Sequence, residues 1–315
     1  MDPSRALLLT APRASTWQTQ PLRPLQKDEV LVRTLCSAVS VGTELPLFTG
    51  GSRNPAHVSY PKMTGYETYG VVEAVGESVL DYRVGDNVVA FEGHVTHAVL
   101  SASRLIPVPE GIDPRSALLV ILSNDVKKGV LNVALQPDER VLVTGAGAIG
   151  LLTLFVLKAL GVEHVDVVDP LRERLELARA LGADNVFTPE EVESSQTAYA
   201  AGLECSSRNA AFSLLQNKLQ TNGRICILAD GNLEPLELTP QFHQKELRVM
   251  GSSDGEDYAE HARWFFALPD LSKLTALFDL EVDAEALPET FARMARGELQ
   301  PVKVLVRYNE PLKEV

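Results

Sequence analysis

Up to about residue 110 the chain runs in short β-type stretches, EVLVRTL (29–35), GVVEAVG (70–76), DNVVAF (86–91) and HAVLSA (97–102). Glycine, proline and aspartate punctuate them, and DYRVGD (81–86) is a turn signal between two of them. Runs of this length and spacing predict a compact antiparallel barrel or sandwich. From about residue 112 the period becomes helical. DPRSALLVILSNDVKKGVLNVAL opens that region, with Asp113 in the N-cap place and Pro114 in the first turn. A buried strand, a glycine turn, a helix, a second strand and another helix follow. The alternation continues through RICILAD (224–230) and LRVMGSS (247–253), which predicts βαβ units around a parallel sheet. Roughly the last sixty residues read as helices and one strand, VKVLVRY (302–308).

No repeat, low-complexity tract or Pro/Ser-rich linker separates these regions, so tight crossings are expected near residues 120 and 252. The division is a β domain over 1–120, an α/β domain over 121–252 and a return to the first over 253–315. Apolar residues make up 45% and charged residues 23%, the composition of a soluble globular chain. A net charge of −13 with no basic run argues against nucleic acid, whose phosphates repel such a surface. Cys36, Cys205 and Cys226 are scattered, which suggests reduced thiols in a cytoplasmic protein. The most apolar stretch, LLTLFVLKALGV at 151–162, carries Lys158 and is too short for a bilayer. No membrane partner is expected.

The strongest chemical signal lies between residues 140 and 169. The strand RVLVT runs into Gly145-Ala-Gly147-Ala148-Ile149-Gly150, a helix follows, and a second strand ends at Asp169. In this pattern the first glycine permits the turn, the second lets backbone approach a pyrophosphate, and the third lets helix and strand pack closely. The helix start offers free N–H groups and partial positive charge to the diphosphate. Strand before, helix after and acid at the right distance together predict dinucleotide binding. Asp169 is placed to accept from adenosine ribose hydroxyls and to repel a 2′-phosphate, which favours NAD over NADP. Arg174, close behind with Arg172, would admit NADP; the other reading of the two is a solvated helix face pairing with Glu173 and Glu176.

The whole arrangement resembles the medium-chain dehydrogenase/reductase superfamily over nearly the full chain. Gly65, Glu67, Gly70, Gly76 and Val79 fall in register with that family's Gly-His-Glu signature, and Tyr66 stands where its histidine belongs. SVGTEL (40–45) looks most like a subgroup that includes bacteriochlorophyllide dehydrogenases. The resemblance implies a GroES-like barrel domain interrupted by a Rossmann domain, a small-molecule alcohol or carbonyl substrate bound between them, and a homodimer through an edge strand near NLEPLELTP (232–240). It also maps the family's catalytic zinc ligands to Val41, Tyr66 and about Val120. Two are aliphatic, and a phenol of ordinary pKa near 10 binds zinc poorly at neutral pH. With the structural zinc loop missing as well, no metal is expected. A substitute site from Glu44, Glu67, His94 and Asp125 has no spacing to recommend it.

Without metal, protons must move through side chains. Thr43 aligns with the family's hydroxyl relay residue. Tyr66 either donates to a substrate oxygen or fills a vacated metal pocket. Glu67 is expected behind the site, orienting other groups. His94, just past a barrel strand, is a further candidate. Asn124 and Asp125 interrupt an apolar helix start, as helix caps or as nicotinamide-side and substrate contacts. The resulting expectation is a zinc-independent NAD(P)-dependent oxidoreductase of the alcohol/carbonyl type. Reduction of an activated C=C bond, or dinucleotide sensing without turnover, are the alternatives.

Overall fold

The computed structural model describes residues 3–52, 59–136, 138–229 and 234–308. Two compact units emerge: Met1–Val120 with Ala262–Ala267 and Phe278–Val315, and Ile121–His261 with Leu268–Leu277.

In chain order the first unit contributes β1 (Ser4–Ala11), β2 (Ala14–Gln20) and β3 (Glu29–Val39), then helix α1 (Val41–Thr49). Strands β4 (Lys62–Met63), β5 (Thr68–Val75), β6 (Asn87–Ala90), β7 (His97–Ser101) and β8 (Leu105–Pro107) follow, with helix α2 (Pro114–Leu118). Helix α3 (Val120–Asn132) leads into β9 (Arg140–Thr144), α4 (Ala148–Ala159), β10 (His164–Val168) and α5 (Arg172–Ala180). Next come β11 (Asn185–Phe187), β12 (Tyr199–Glu204), β13 (Leu219–Ile227) and β14 (Arg248–Gly251), and finally β15 (Phe278–Asp283) and β16 (Lys303–Arg307).

The first unit is built on a seven-stranded sheet of order β15-β16-β3-β5-β6-β8, with β7 added on β3, and on a three-stranded sheet β2-β1-β4. The long strand β3 holds it together, pairing antiparallel with β5, β7 and β16. Its alternation explains the core. Val30 and Val32 join Val72, Val88, Ala90, Leu100 and Leu105 in one apolar cluster. Leu7, Leu9, Val39, Phe48, Phe291, Val304 and Val306 form another, which ties α1 to the returning strand β16. The sequence suggested one strand in the return; there are two, and β15 pairs with β16 in parallel. The β15 residues FDLEVD alternate between half-buried and exposed, a weak apolar signal that hid the strand.

The second unit is a six-stranded sheet of order β11-β10-β9-β12-β13-β14, every pairing parallel. Numbered within the unit that order is 3-2-1-4-5-6, the doubly wound arrangement whose ligands sit at the carboxyl ends of the strands where the order reverses. Leu142, Val168, Tyr199, Phe212, Leu215 and Ile225 pack its core. The unit runs on to His261 before the chain leaves it.

Asp113 caps α2 as its sequence suggested, accepting from the Arg115 amide at 2.8 Å. The helical stretch is two helices, however, broken at Leu119. Of NLEPLELTP, Asn232 and Leu233 lie outside the described residues, and Glu234–Thr239 has no strand; the sheet ends on β14 instead. Among the described residues no helix is long and apolar enough to cross a membrane.

Candidate functional site

The glycine loop connects β9 to α4. Gly145 has φ +87°, a value side-chain-bearing residues rarely adopt, and its amide donates to Val168 O at 2.8 Å. A Cβ on Gly150 would lie 1.7 Å from Gly145 O, so the first turn of α4 packs on the loop only because that position has no side chain. A Cβ on Gly147 would meet nothing within 4 Å. Space beside the backbone there, with the unpaired amides of a helix start at Ala148, Ile149 and Gly150, suits an anionic ligand. The dinucleotide diphosphate fits this cradle.

Asp169, just past β10, is nearly buried. Its Oδ2 accepts from the Ala146 amide at 2.7 Å and its Oδ1 from the Leu171 amide at 2.8 Å. The carboxylate therefore braces the glycine loop, and each oxygen keeps a second lone pair for a ligand hydroxyl. Arg172 does not pair with Glu176 along its helix. It reaches Glu191 at 3.1 Å, while Glu176 pairs with Arg179. Arg174, half-buried in the first turn of α5, has a contact of its own. Sequence reasoning missed Glu204 at the end of β12. Burial raises its carboxyl pKa above the ordinary value, and it accepts from the Ser206 and Ser207 amides. That turn lies against Gly145, where an added Cβ would come within 3.0 Å of the Ser206 Cβ.

Asn124 and Asp125 fall inside α3, so they cap nothing. Asn124 Nδ2 donates to Glu256 O at 2.8 Å. Asp125 Oδ1 accepts from the Gly255 amide at 2.7 Å and from the Tyr258 hydroxyl at 2.9 Å. Lys128 pairs with Glu256 at 3.0 Å. Three residues of one helix thus clamp the turn after β14. Burial pushes the Asp125 carboxyl up to about 6, against the pull of Tyr258 and Gly255.

The other candidates meet in the first unit, around the start of α1. Ser40 occupies the N-cap position, yet its side chain makes no cap bond. Its Oγ instead accepts from the Tyr66 phenol at 2.6 Å. Thr43 also hydrogen-bonds that phenol. Burial and the Glu67 charge raise the Tyr66 pKa well above its ordinary value, and the Ser40 and Thr43 hydroxyls pull the other way. Tyr66 is therefore a neutral phenol near neutral pH.

Beneath this pair sits Glu44, fully buried. Its Oε1 accepts from the Ser40 amide at 2.8 Å; its Oε2 takes the Thr64 hydroxyl at 2.8 Å and His94 Nε2 at 2.9 Å. His94 Nδ1 faces Ser37 Oγ at 2.8 Å, and Ser37 Oγ is 3.3 Å from the Tyr308 hydroxyl. His94 thus bridges Glu44 through Nε2 and Ser37 through Nδ1. Glu67 stands apart, its Oε2 2.5 Å from Lys303 Nζ, both side chains without exposure. At such burial neither His94 nor Glu67 can touch a substrate as the chain stands.

Zinc does not fit the positions to which the resemblance maps its ligands. Val41 and Val120 offer no donor atom, and the Tyr66 oxygen is engaged by two hydroxyls. Among the described residues no group of three or more His, Cys, Asp and Glu side chains could hold a metal ion. Glu44 and His94 satisfy each other, Glu67 is held by Lys303, and Asp125 Oδ1 is engaged by Gly255 and Tyr258.

Residues 26–108 match a family model described as an alcohol dehydrogenase GroES-like domain, and residues 148–268 one described as a zinc-binding dehydrogenase. An L-threonine 3-dehydrogenase of Vibrio parahaemolyticus serotype O3:K6 is 26% identical over 71% of this chain and 76% of its own length. One from Rhizobium johnstonii is 27% identical over the same shares. Among solved structures, (2R,3R)-butanediol dehydrogenase from Bacillus subtilis superposes with a TM-score of 0.81 at 20% identity, covering 97% of this chain and 100% of that one. A dehydrogenase from Sinorhizobium meliloti 1021 solved with NADP bound gives 0.84 at 18% identity, covering 98% and 100%. At such identities the superpositions speak for the fold.

Proposed function

We propose that the chain, which matches dehydrogenase family models over residues 26–108 and 148–268, is an NAD(P)-dependent oxidoreductase that interconverts small carbonyls and alcohols without zinc. The observation that carries this reading is the Tyr66 phenol, held by Ser40 and Thr43 where the family resemblance puts a zinc ligand. The dinucleotide supplies or accepts the hydride. What the protein must add is a proton for the oxygen that becomes a hydroxyl, and a neutral phenol is suited to give one. Its raised pKa keeps Tyr66 protonated near neutral pH, the form that can hydrogen-bond a carbonyl oxygen.

Residues of the second unit would hold the cofactor. Gly145, Gly147 and the α4 amides from Ala148 to Gly150 take the diphosphate. Asp169 takes the ribose hydroxyls and favours NAD, with Arg174 on the helix behind it. No step is assigned to Asp125 or Asn124, whose Oδ1 and Nδ2 respectively are engaged by the turn after β14.

The test is NAD(P)H oxidation across aldehydes, ketones and enones, with L-threonine and (2R,3R)-butanediol in the oxidative direction. Turnover of carbonyls that survives a strong chelator and collapses in Tyr66→Phe supports the reading. Stoichiometric zinc in the purified protein, or activity lost to chelation, overturns the zinc-free part. Turnover confined to enones moves the assignment to C=C reduction. NADH binding with no turnover at all leaves a sensor.

A further inference from the structure

Resting on Tyr66 as proton donor, we propose that Ser40 is its relay partner, and that the buried Glu44–His94 pair is the device that positions Ser40. Three observations converge on Ser40. It stands at the N-cap of a nine-residue helix, where a serine ordinarily spends its oxygen on a backbone amide. It makes no such bond, and its oxygen is left to the Tyr66 phenol at 2.6 Å. Its own amide is held at 2.8 Å by Glu44, a fully buried carboxylate engaged on its other oxygen by Thr64 and His94.

A buried carboxylate is costly unless every lone pair finds a donor, so this network has a purpose beyond filling space. A hydrophobic residue would anchor the helix start as well. What Glu44 adds is direction: it fixes the Ser40 backbone, and with it the hydroxyl that meets Tyr66. His94 is held in turn by Ser37 on Nδ1, and Ser37 by Tyr308. The chain of contacts runs Tyr308–Ser37–His94–Glu44–Ser40–Tyr66, all within the first unit.

The proton steps balance. As the carbonyl carbon receives its hydride, the O–H bond of Tyr66 breaks and the proton bonds to the carbonyl oxygen, giving the alcohol. Having donated to Ser40 Oγ in the resting chain, the Tyr66 oxygen, once deprotonated, accepts the Ser40 hydroxyl proton instead. Ser40 Oγ is then reprotonated by a buffer acid, so one solvent proton is consumed per carbonyl reduced. Glu44 and His94 exchange no proton with the substrate in this scheme. Ser40 is a catalytic relay only in this sense; Glu44 and His94 are positioning residues.

The experiment uses the full-length enzyme with tyrosine labelled at ¹³Cζ. The Tyr66 resonance is identified by its loss in Tyr66→Phe. Ser40→Ala is expected to move that resonance, to lower kcat for the carbonyl the panel selects by about tenfold to a hundredfold with KM little changed, and to alter the solvent deuterium isotope effect. Ser40→Thr restores all three. Glu44→Gln, isosteric but uncharged, moves the same resonance without touching Tyr66. A Tyr66 resonance and kcat both unchanged in Ser40→Ala overturn the proposal. If Tyr66→Phe itself retains turnover, the proton-donor reading fails, and an unmoved resonance in Ser40→Ala and Glu44→Gln then removes the coupling as well.

Discussion

Lys303 Nζ lies 2.5 Å from Glu67 Oε2, and neither side chain is exposed to solvent. The two residues are far apart in sequence: Glu67 precedes β5 and Lys303 opens β16. Strand β3, paired with both β5 and β16, brings the ends together.

A buried pair of this kind is costly to break because the survivor is an uncompensated charge. Lys303→Met alone is expected to destabilise the chain by about 3–5 kcal/mol. Glu67→Leu with Lys303→Met should recover most of that. Melting temperatures of the single and double variants check it; equal losses in both would sever the pair from stability.

Gly147 and Gly150 make opposite predictions though both are loop glycines. Gly147→Ala has free space and should fold with an unchanged melting temperature, while NADH affinity falls about tenfold or more, a loss of about 1.4 kcal/mol. Gly150→Ala collides with Gly145 O and should lower the melting temperature. Fluorescence titration with NADH separates the two; normal affinity in Gly147→Ala would mean the diphosphate sits elsewhere.

Asp169 carries a double duty. Asp169→Ser should shift preference from NADH toward NADPH, measured as the ratio of kcat/KM values. It should also cost about 1–3 kcal/mol, because the Ala146 and Leu171 amides lose an acceptor. A change of preference with no loss of stability would contradict the bracing role.

The clamp at Asp125 should leave a pH signature. Its carboxyl titrates near 6 when folded and near 3.8 otherwise, so the folded state holds the proton more tightly. The associated stability is complete below pH ~4 and is lost as pH rises through about 6. The shift is worth about 3 kcal/mol at most. Asp125→Asn keeps an acceptor for Gly255 and Tyr258 without a charge. Its melting temperature relative to wild type should therefore rise between pH 4 and pH 7, and a flat difference would refute the assignment.

The chain's own pattern was enough for the parallel sheet, the glycine cradle and the acid behind it. Each rests on a local period or a fixed spacing: RVLVT, the Gly145–Gly150 turn and Asp169 lie within one βαβ unit, where neighbours in sequence are neighbours in space. The β-rich first unit was readable for the same reason, down to strands β3 and β5. Tertiary structure alone decided which polar groups meet. Ser40 stood out only as part of SVGTEL, Lys303 only as part of VKVLVRY, and Glu44 only in a substitute metal site with no spacing to recommend it. Their partners lie 26, 236 and 50 positions away, and no local period carries such pairings. For Asn124 and Asp125 the structure removes the capping reading, because both lie inside α3, where they hold the turn after β14. Burial of a polar side chain depends on the donors waiting at the far end of another strand, and only the folded chain brings them there.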